Sequence, residues 1–132
     1  MNIGQLARLT GAPIDTIRYY ERQQLLPTPQ RSPSGYRRYA EEDVVRLNFI
    51  RRAKALGFSL EEISELMAIS EGRHGDMAAM KLAARSKLAE VEARQAELAR
   101  VHDALLHLVD ACPGHGALAE CPIIAALGKE PT

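Results

Sequence analysis

The apolar positions of this chain fall into helical spacings separated by turns. Ile3, Leu6, Ala7 and Leu9 give the first stretch an apolar side. Thr10-Gly11-Ala12-Pro13 stops it, because glycine admits unusual dihedrals and proline cannot continue a helix. Asp15 or Thr16 stands where a cap belongs, and the second helix is expected to reach about Gln24. Two short helices around a tight turn have the size of a helix-turn-helix. Leu25 to Tyr39 carries three prolines and Ser34-Gly35, so it predicts a short hairpin with Tyr36, Arg37 and Arg38 near its tip, a basic and aromatic wing.

Helical spacing resumes at Glu41 with Val44, Val45, Leu47, Phe49 and Ile50, and runs to Leu56 before Gly57. Ser59 with Glu62 three residues later is a capping box, starting a helix to about Ile69. Gly72-Arg73-His74-Gly75 breaks the chain again. From Asp76 to Ala111 there is no glycine or proline, and Met77, Ala84, Val91, Leu98, Leu105 and Cys112 recur every seven residues. Leu88 and Val109, with Met80, Val101 and Leu108, fill the intervening seam positions. A lone helix of this kind cannot bury its seam, and the preceding elements look too small to cover it. Pairing with a second copy, most simply by twofold symmetry, is the expected solution. Pro113 ends this helix, a glycine-containing loop follows, and Cys121 to Leu127 reads as a short apolar helix before a tail from Gly128 to Thr132.

The boundaries expected are therefore 1–70 for a winged helix-turn-helix, 76–111 for a dimerisation helix, 112–127 for a loop with a short helix, and 128–132 for the tail. The fold class is all-α with a small β wing. Aromatics are only 5% and tryptophan is absent, which suits an aliphatic helical core.

Net charge is zero, but its distribution is uneven. Residues 1–54 carry nine arginines and Lys54 against five acids, a net +5, so the remainder carries −5. A basic half points to a polyanion. Arg18 and Tyr20 on the second helix are candidate groove contacts, with Thr16 beside them. Arg31, Tyr36 and Arg37 are candidate backbone contacts on the wing. One member of the Tyr19–Tyr20 pair is expected to pack inside. The start of the chain shows neither a charged n-region nor an apolar h-region, and no apolar run reaches the length of a membrane span, so a cytoplasmic location with reduced thiols is expected. No Ser-His-Asp set, paired-carboxylate pocket or phosphate-cradling loop suggests an enzyme.

Several stretches together resemble the MerR family of transcription regulators: Ile3-Gly4-Gln5-Leu6-Ala7, Thr16-Ile17-Arg18-Tyr19-Tyr20-Glu21, Leu25-Leu26-Pro27, Arg31-Ser32, Gly35-Tyr36-Arg37-Arg38-Tyr39, Phe49-Ile50-Arg51-Arg52-Ala53 and Leu56-Gly57-Phe58-Ser59-Leu60. The resemblance covers essentially the whole chain. It implies an antiparallel coiled-coil homodimer and binding to double-stranded, pseudo-palindromic promoter DNA. It also implies activation of RNA polymerase there, by distortion of a promoter spacer that is otherwise too long.

Cys112 and Cys121 are the only cysteines. Two cysteines alone usually mean inert thiols. Here they flank a glycine-containing loop between two helices, and a helix N-terminus favours the thiolate of Cys121. The segment is similar to the effector loop of metal-sensing members. It is most like the copper-sensing CueR branch, on Ala111-Cys112-Pro113-Gly114 and Cys121-Pro122-Ile123-Ile124. Two thiolates suit a soft monovalent ion, so one Cu(I) per subunit is expected, with Ag(I) or Au(I) of the same chemistry. Zn²⁺ prefers about four ligands. The resemblance implies a third cysteine at the start of the dimerisation helix in divalent sensors and a serine in monovalent ones; Met77 stands at that position. Met77 is readily a plain seam residue, but its thioether also suits Cu(I). His115 in the loop, with His74 or Asp76 from a partner chain, would instead build a divalent site for zinc, cadmium, mercury or lead. A disulfide-based redox sensor is a further alternative.

Overall fold

A computed structural model describes residues 1–31, 33, 35, 37–73 and 75–128, with Gln30 and Arg37 by backbone alone. The chain forms α1 (Ile3–Thr10), α2 (Ile14–Arg22), β1 (Gln30–Arg31), β2 (Arg37–Arg38), α3 (Glu41–Ala55), α4 (Leu60–Ser70), α5 (Met77–Ala111), a 3-10 turn (Leu118–Glu120) and α6 (Pro122–Leu127). It is a mostly helical helix-turn-helix fold with one long helix. Two compact units divide at Ala84 and Arg85.

In the first unit, α1 starts on a reciprocal box. Asn2 Oδ1 accepts from the Gln5 N–H and Gln5 Oε1 accepts from the Asn2 N–H, both at 2.8 Å. This satisfies two of the donors that a helix start leaves open. Gly11, at φ 72°, turns the chain out of α1 and donates to the Ala7 carbonyl at 2.8 Å. That left-handed conformation costs a residue with a Cβ about 1–2 kcal/mol. Helix α2 then begins at Ile14, one residue before the expected caps. Pro13 occupies the cap position without a side-chain bond, and Asp15 and Thr16 lie inside the first turn. The cause is Pro13 itself, whose fixed φ suits a helix entrance. Farther on, Ser59 and Glu62 form the expected box at the start of α4, with bonds of 2.8 and 3.2 Å.

The core gathers Leu6 from α1, Ile17 and Tyr20 from α2, Leu25, Leu26 and Tyr39 from the connection, Leu47 and Ile50 from α3, and Ile63, Leu66 and Met67 from α4. Met80 and Ala83 from the first turns of α5 pack against it. Leu9 (64% exposed) and Val45 (69%) stand outside this core, contrary to the apolar sides read from the sequence. Each helix buries a narrower stripe than its apolar residues span: α1 hides Leu6, while α3 hides Leu47, Ile50 and Ala53. Strands β1 and β2 pair antiparallel, Gln30 with Arg38 and Arg31 with Arg37.

In the second unit, α5 ends at Ala111, and the segment after Pro113 is not a plain loop. The 3-10 turn Leu118–Glu120 carries the chain to Cys121, which is the N-cap residue of α6. No residue of α5 is buried.

Candidate nucleic-acid interface and metal centre

Helix α2 presents Arg18, Tyr19 and Arg22 outward and Thr16 half-buried. Arg22 stacks its guanidinium 6.0 Å from the centre of the Tyr19 ring. Tyr20 is corrected as a groove contact: it is 6% exposed and belongs to the core, whereas Tyr19 is 42% exposed. Residues two apart on a helix point about 200° apart. With Arg18 outward, Tyr20 therefore turns inward beside Ile17. The outward aromatic is Tyr19, which is not among the expected contacts; the i, i+3 spacing of Ile17 and Tyr20 is the signal that separates the two tyrosines.

Arg31 and Arg38 are exposed on the two-residue ladder. Of the remaining expected contacts, Tyr36 lies outside the described residues, and Arg37 is placed by its backbone alone, opposite Arg31. Four polar links in the first unit had no signature in the sequence. Arg51 Nη1 donates to the Thr10 carbonyl. The Tyr39 hydroxyl donates to Glu21 Oε1. Arg46 of α3 pairs with Glu71 after α4 at 2.8 Å, and Arg73 holds the other Glu71 oxygen at 2.5 Å.

In the second unit, both thiols are free and half-buried. Residues 112–122 surround a hollow lined by Cys112, Pro113, His115, Leu118, Glu120 and Cys121. The Cys121 thiol sits at the N-cap of α6, near the backbone N–H groups of Ile124 and Ile123 and the Cys112 side chain. These donors favour the thiolate and outweigh desolvation, so the Cys121 pKa lies below its ordinary value. The fold thus brings together two cysteines nine positions apart. This donor set fits a soft, thiophilic metal. Among the described residues no group of three His, Cys, Asp or Glu side chains could hold a metal. His115 is turned to its own loop, with Nδ1 3.2 Å from the Pro113 carbonyl oxygen. Met77 begins α5 and is 87% exposed. His74 lies outside the described residues. Among the described residues, no helix is long and apolar enough to cross a membrane.

A helix-turn-helix followed by a paired strand ladder and a long seam helix defines a regulatory protein of the nucleic-acid-binding class. The chain belongs to the MerR family. Residues 1–69 match the model of the MerR HTH family regulatory protein, and residues 44–108 match that described as MerR, DNA binding. Over 130 residues it is 41% identical to the mercuric resistance operon regulatory protein of Serratia marcescens, covering 98% of this chain and 89% of that one. Its structure is similar to that of the transcription regulator PbrR691 from Ralstonia metallidurans CH34 in complex with lead(II). That match has a TM-score of 0.84 and 31% identity, over 96% of this chain and 98% of the other. It is also similar to the dual function transcriptional regulator MerR from Bacillus megaterium MB1 in complex with mercury(II). There the TM-score is 0.70 and the identity 34%, over 98% and 100% of the two chains.

Proposed function

We propose that this protein is a metal-responsive transcription regulator that binds promoter DNA as a homodimer and takes one thiophilic metal ion per subunit at Cys112 and Cys121. The observation that carries the reading is the thiol pair at the head of α6, in a chain whose first unit has the family's helix-turn-helix. Arg18 and Thr16 on α2 would meet the major groove. Arg31, with Arg37 and Tyr36 on the wing, would meet neighbouring phosphates. Metal would order the Cys112–Cys121 loop and bias the angle between the two DNA-binding units. The bend and twist imposed on the promoter, and so its use by RNA polymerase, would follow.

The similarity to a mercuric resistance regulator and to regulators bound to lead(II) and mercury(II) supports a divalent ion as effector, ahead of the Cu(I) expected from ligand count. A Cu(I), Ag(I) or Au(I) effector is the second reading. It is favoured by the count of two thiols in the loop and by Met77 at the position where the resemblance implies a third cysteine in divalent sensors. In vitro transcription across Hg²⁺, Pb²⁺, Zn²⁺, Cd²⁺, Cu(I) and Ag(I), under anaerobic conditions, decides between them. Cys112→Ser and Cys121→Ser should each bind the promoter and fail to activate. Full activation by either variant would sink the thiol site, and activation by peroxide without metal would transfer the pair to redox sensing.

A further inference from the structure

We infer that the hydrogen bond from Tyr39 to Glu21 is a positioning strut that fixes the β1–β2 ladder beside α2, so that ladder and helix meet one duplex in register. The inference rests on the proposed reading of the chain as a DNA-binding regulator, and it assigns a role to two residues that need not touch DNA.

The need for a strut follows from the ladder's size. Each strand has two residues, and a pair that short has little stability of its own. Its place relative to α2 is therefore set by what anchors its ends. At the entering end, Leu25 and Leu26 are buried and both N–H groups donate to the Tyr20 carbonyl, at 3.0 and 3.4 Å. At the leaving end, Tyr39 follows β2 directly and is buried in the core. Its backbone is fastened twice to the start of the chain. The Tyr39 N–H donates to the Met1 carbonyl at 2.8 Å, and the Tyr39 carbonyl accepts from the Met1 amino group at 3.0 Å. Its hydroxyl then reaches back 18 residues to Glu21, in the last turn of α2 and three residues after Arg18. A bond to an ionised acceptor is shorter and stronger than a neutral one, and partial burial strengthens it further. The link thus ties the leaving end of the ladder to the helix that carries Arg18.

A strut of this kind matters for specific binding and much less for non-specific binding. On a selected site, Arg18 and the ladder's arginines must reach a base edge and particular phosphates at one fixed separation. On arbitrary DNA each element can settle on whichever phosphates it meets, because that binding is mainly electrostatic.

The test uses the full chain and two duplexes: one enriched by the unmodified protein from a randomised pool, and one of equal length and scrambled sequence. Tyr39→Phe and Glu21→Ala should each weaken binding to the selected duplex about tenfold, the scale of one charge-assisted bond. Binding to the scrambled duplex should stay within about twofold. The double variant should bind no more weakly than Glu21→Ala alone, because Glu21→Ala already removes the link that Tyr39→Phe breaks. Glu21→Gln keeps an acceptor and should retain most of the affinity. Equal losses on both duplexes, additive losses in the double variant, or unchanged binding by Tyr39→Phe would each overturn the strut. Failure of the unmodified protein to enrich any duplex overturns the regulator reading itself, and the strut with it.

Discussion

Arg51, in the C-terminal half of α3, donates from Nη1 to the carbonyl oxygen of Thr10, the last residue of α1. The last carbonyls of a helix have no partner within it, and a cation there also meets the negative end of the helix dipole. The bond joins two helices 41 positions apart, at the turn that aims α2. Gly11 sits in the same corner at φ 72°, where an added Cβ would lie 3.1 Å from Arg51 Nη1. Arg51→Met should therefore lower unfolding stability by about 1 kcal/mol, the scale of one partly exposed charged bond. Gly11→Ala should cost about 1–2 kcal/mol from its left-handed backbone, and more if Arg51 is displaced. Urea unfolding followed by circular dichroism measures both. A Gly11→Ala protein as stable as the unmodified one would show that the turn has another conformation.

The two neighbouring tyrosines of α2 should behave oppositely. Tyr20→Ala removes a buried ring and should destabilise by about 3–5 kcal/mol, as large aromatic truncations do. Tyr19→Ala should leave the melting temperature within a degree or two, because its ring is largely exposed. It should weaken DNA binding, since Tyr19 shares the outward side of α2 with Arg18 and Arg22. A Tyr19→Ala protein that unfolds early while Tyr20→Ala does not would reverse the assignment of the two faces.

The sequence was most legible where one rule governs a residue. Ser59 and Glu62 carry their own box, Gly11 and Gly57 mark real helix ends, and the unbroken run to Ala111 is one helix. It was least legible where two elements compete for a residue. Val45 looks like core until Leu47 and Ile50 take the inward stripe of α3. Tyr20 looks like a contact until the Ile17 stripe claims it. Arg51–Thr10 and Tyr39–Glu21 join residues distant in sequence, so no local pattern could announce them. The nearness of the two thiols was legible from their place between two helices. The ion proposed for them was less so, because ligand count within one chain pointed to Cu(I), while one similar regulator is named for mercury and two similar structures hold lead(II) or mercury(II).

The N–H groups that α6 places near Cys121 make a pH prediction. Lowering a thiol's pKa moves the rise of its thiolate to lower pH, and the thiolate is the reactive form. In metal-free Cys112→Ser protein, alkylation of Cys121 by iodoacetamide should reach half its limiting rate below the ordinary thiol value. The N–H groups of Ile124 and Ile123 remain in that variant. In concentrated urea, where α6 is lost, the midpoint should move up. An identical midpoint in folded and unfolded protein would show that α6 does not favour the thiolate.

The seam of α5 tests the assembly. Val91, Leu98, Val101, Leu105 and Val109 are all exposed in the single chain, and each lies on the heptad stripe. A contiguous apolar stripe of this kind marks an association surface. A second copy of the same helix supplies a matching stripe under twofold symmetry. The unmodified protein should sediment as a dimer at micromolar concentration, with metal or without it, since the seam positions within α5, through Val109, all precede the Cys112–Cys121 loop. Leu98→Asp would place a carboxylate in that seam in both copies. Burying it without a partner costs several kcal/mol, so the dimer should weaken by at least about a hundredfold. Arg100→Asp also adds a negative charge to the exposed helix, but about 200° around it from Leu98, and should leave the dimer intact. A dimer indifferent to Leu98→Asp, or broken equally by Arg100→Asp, would show that the copies meet through another surface. A stable monomer of the unmodified chain would remove the dimer altogether, and with it the twofold reading of a pseudo-palindromic promoter.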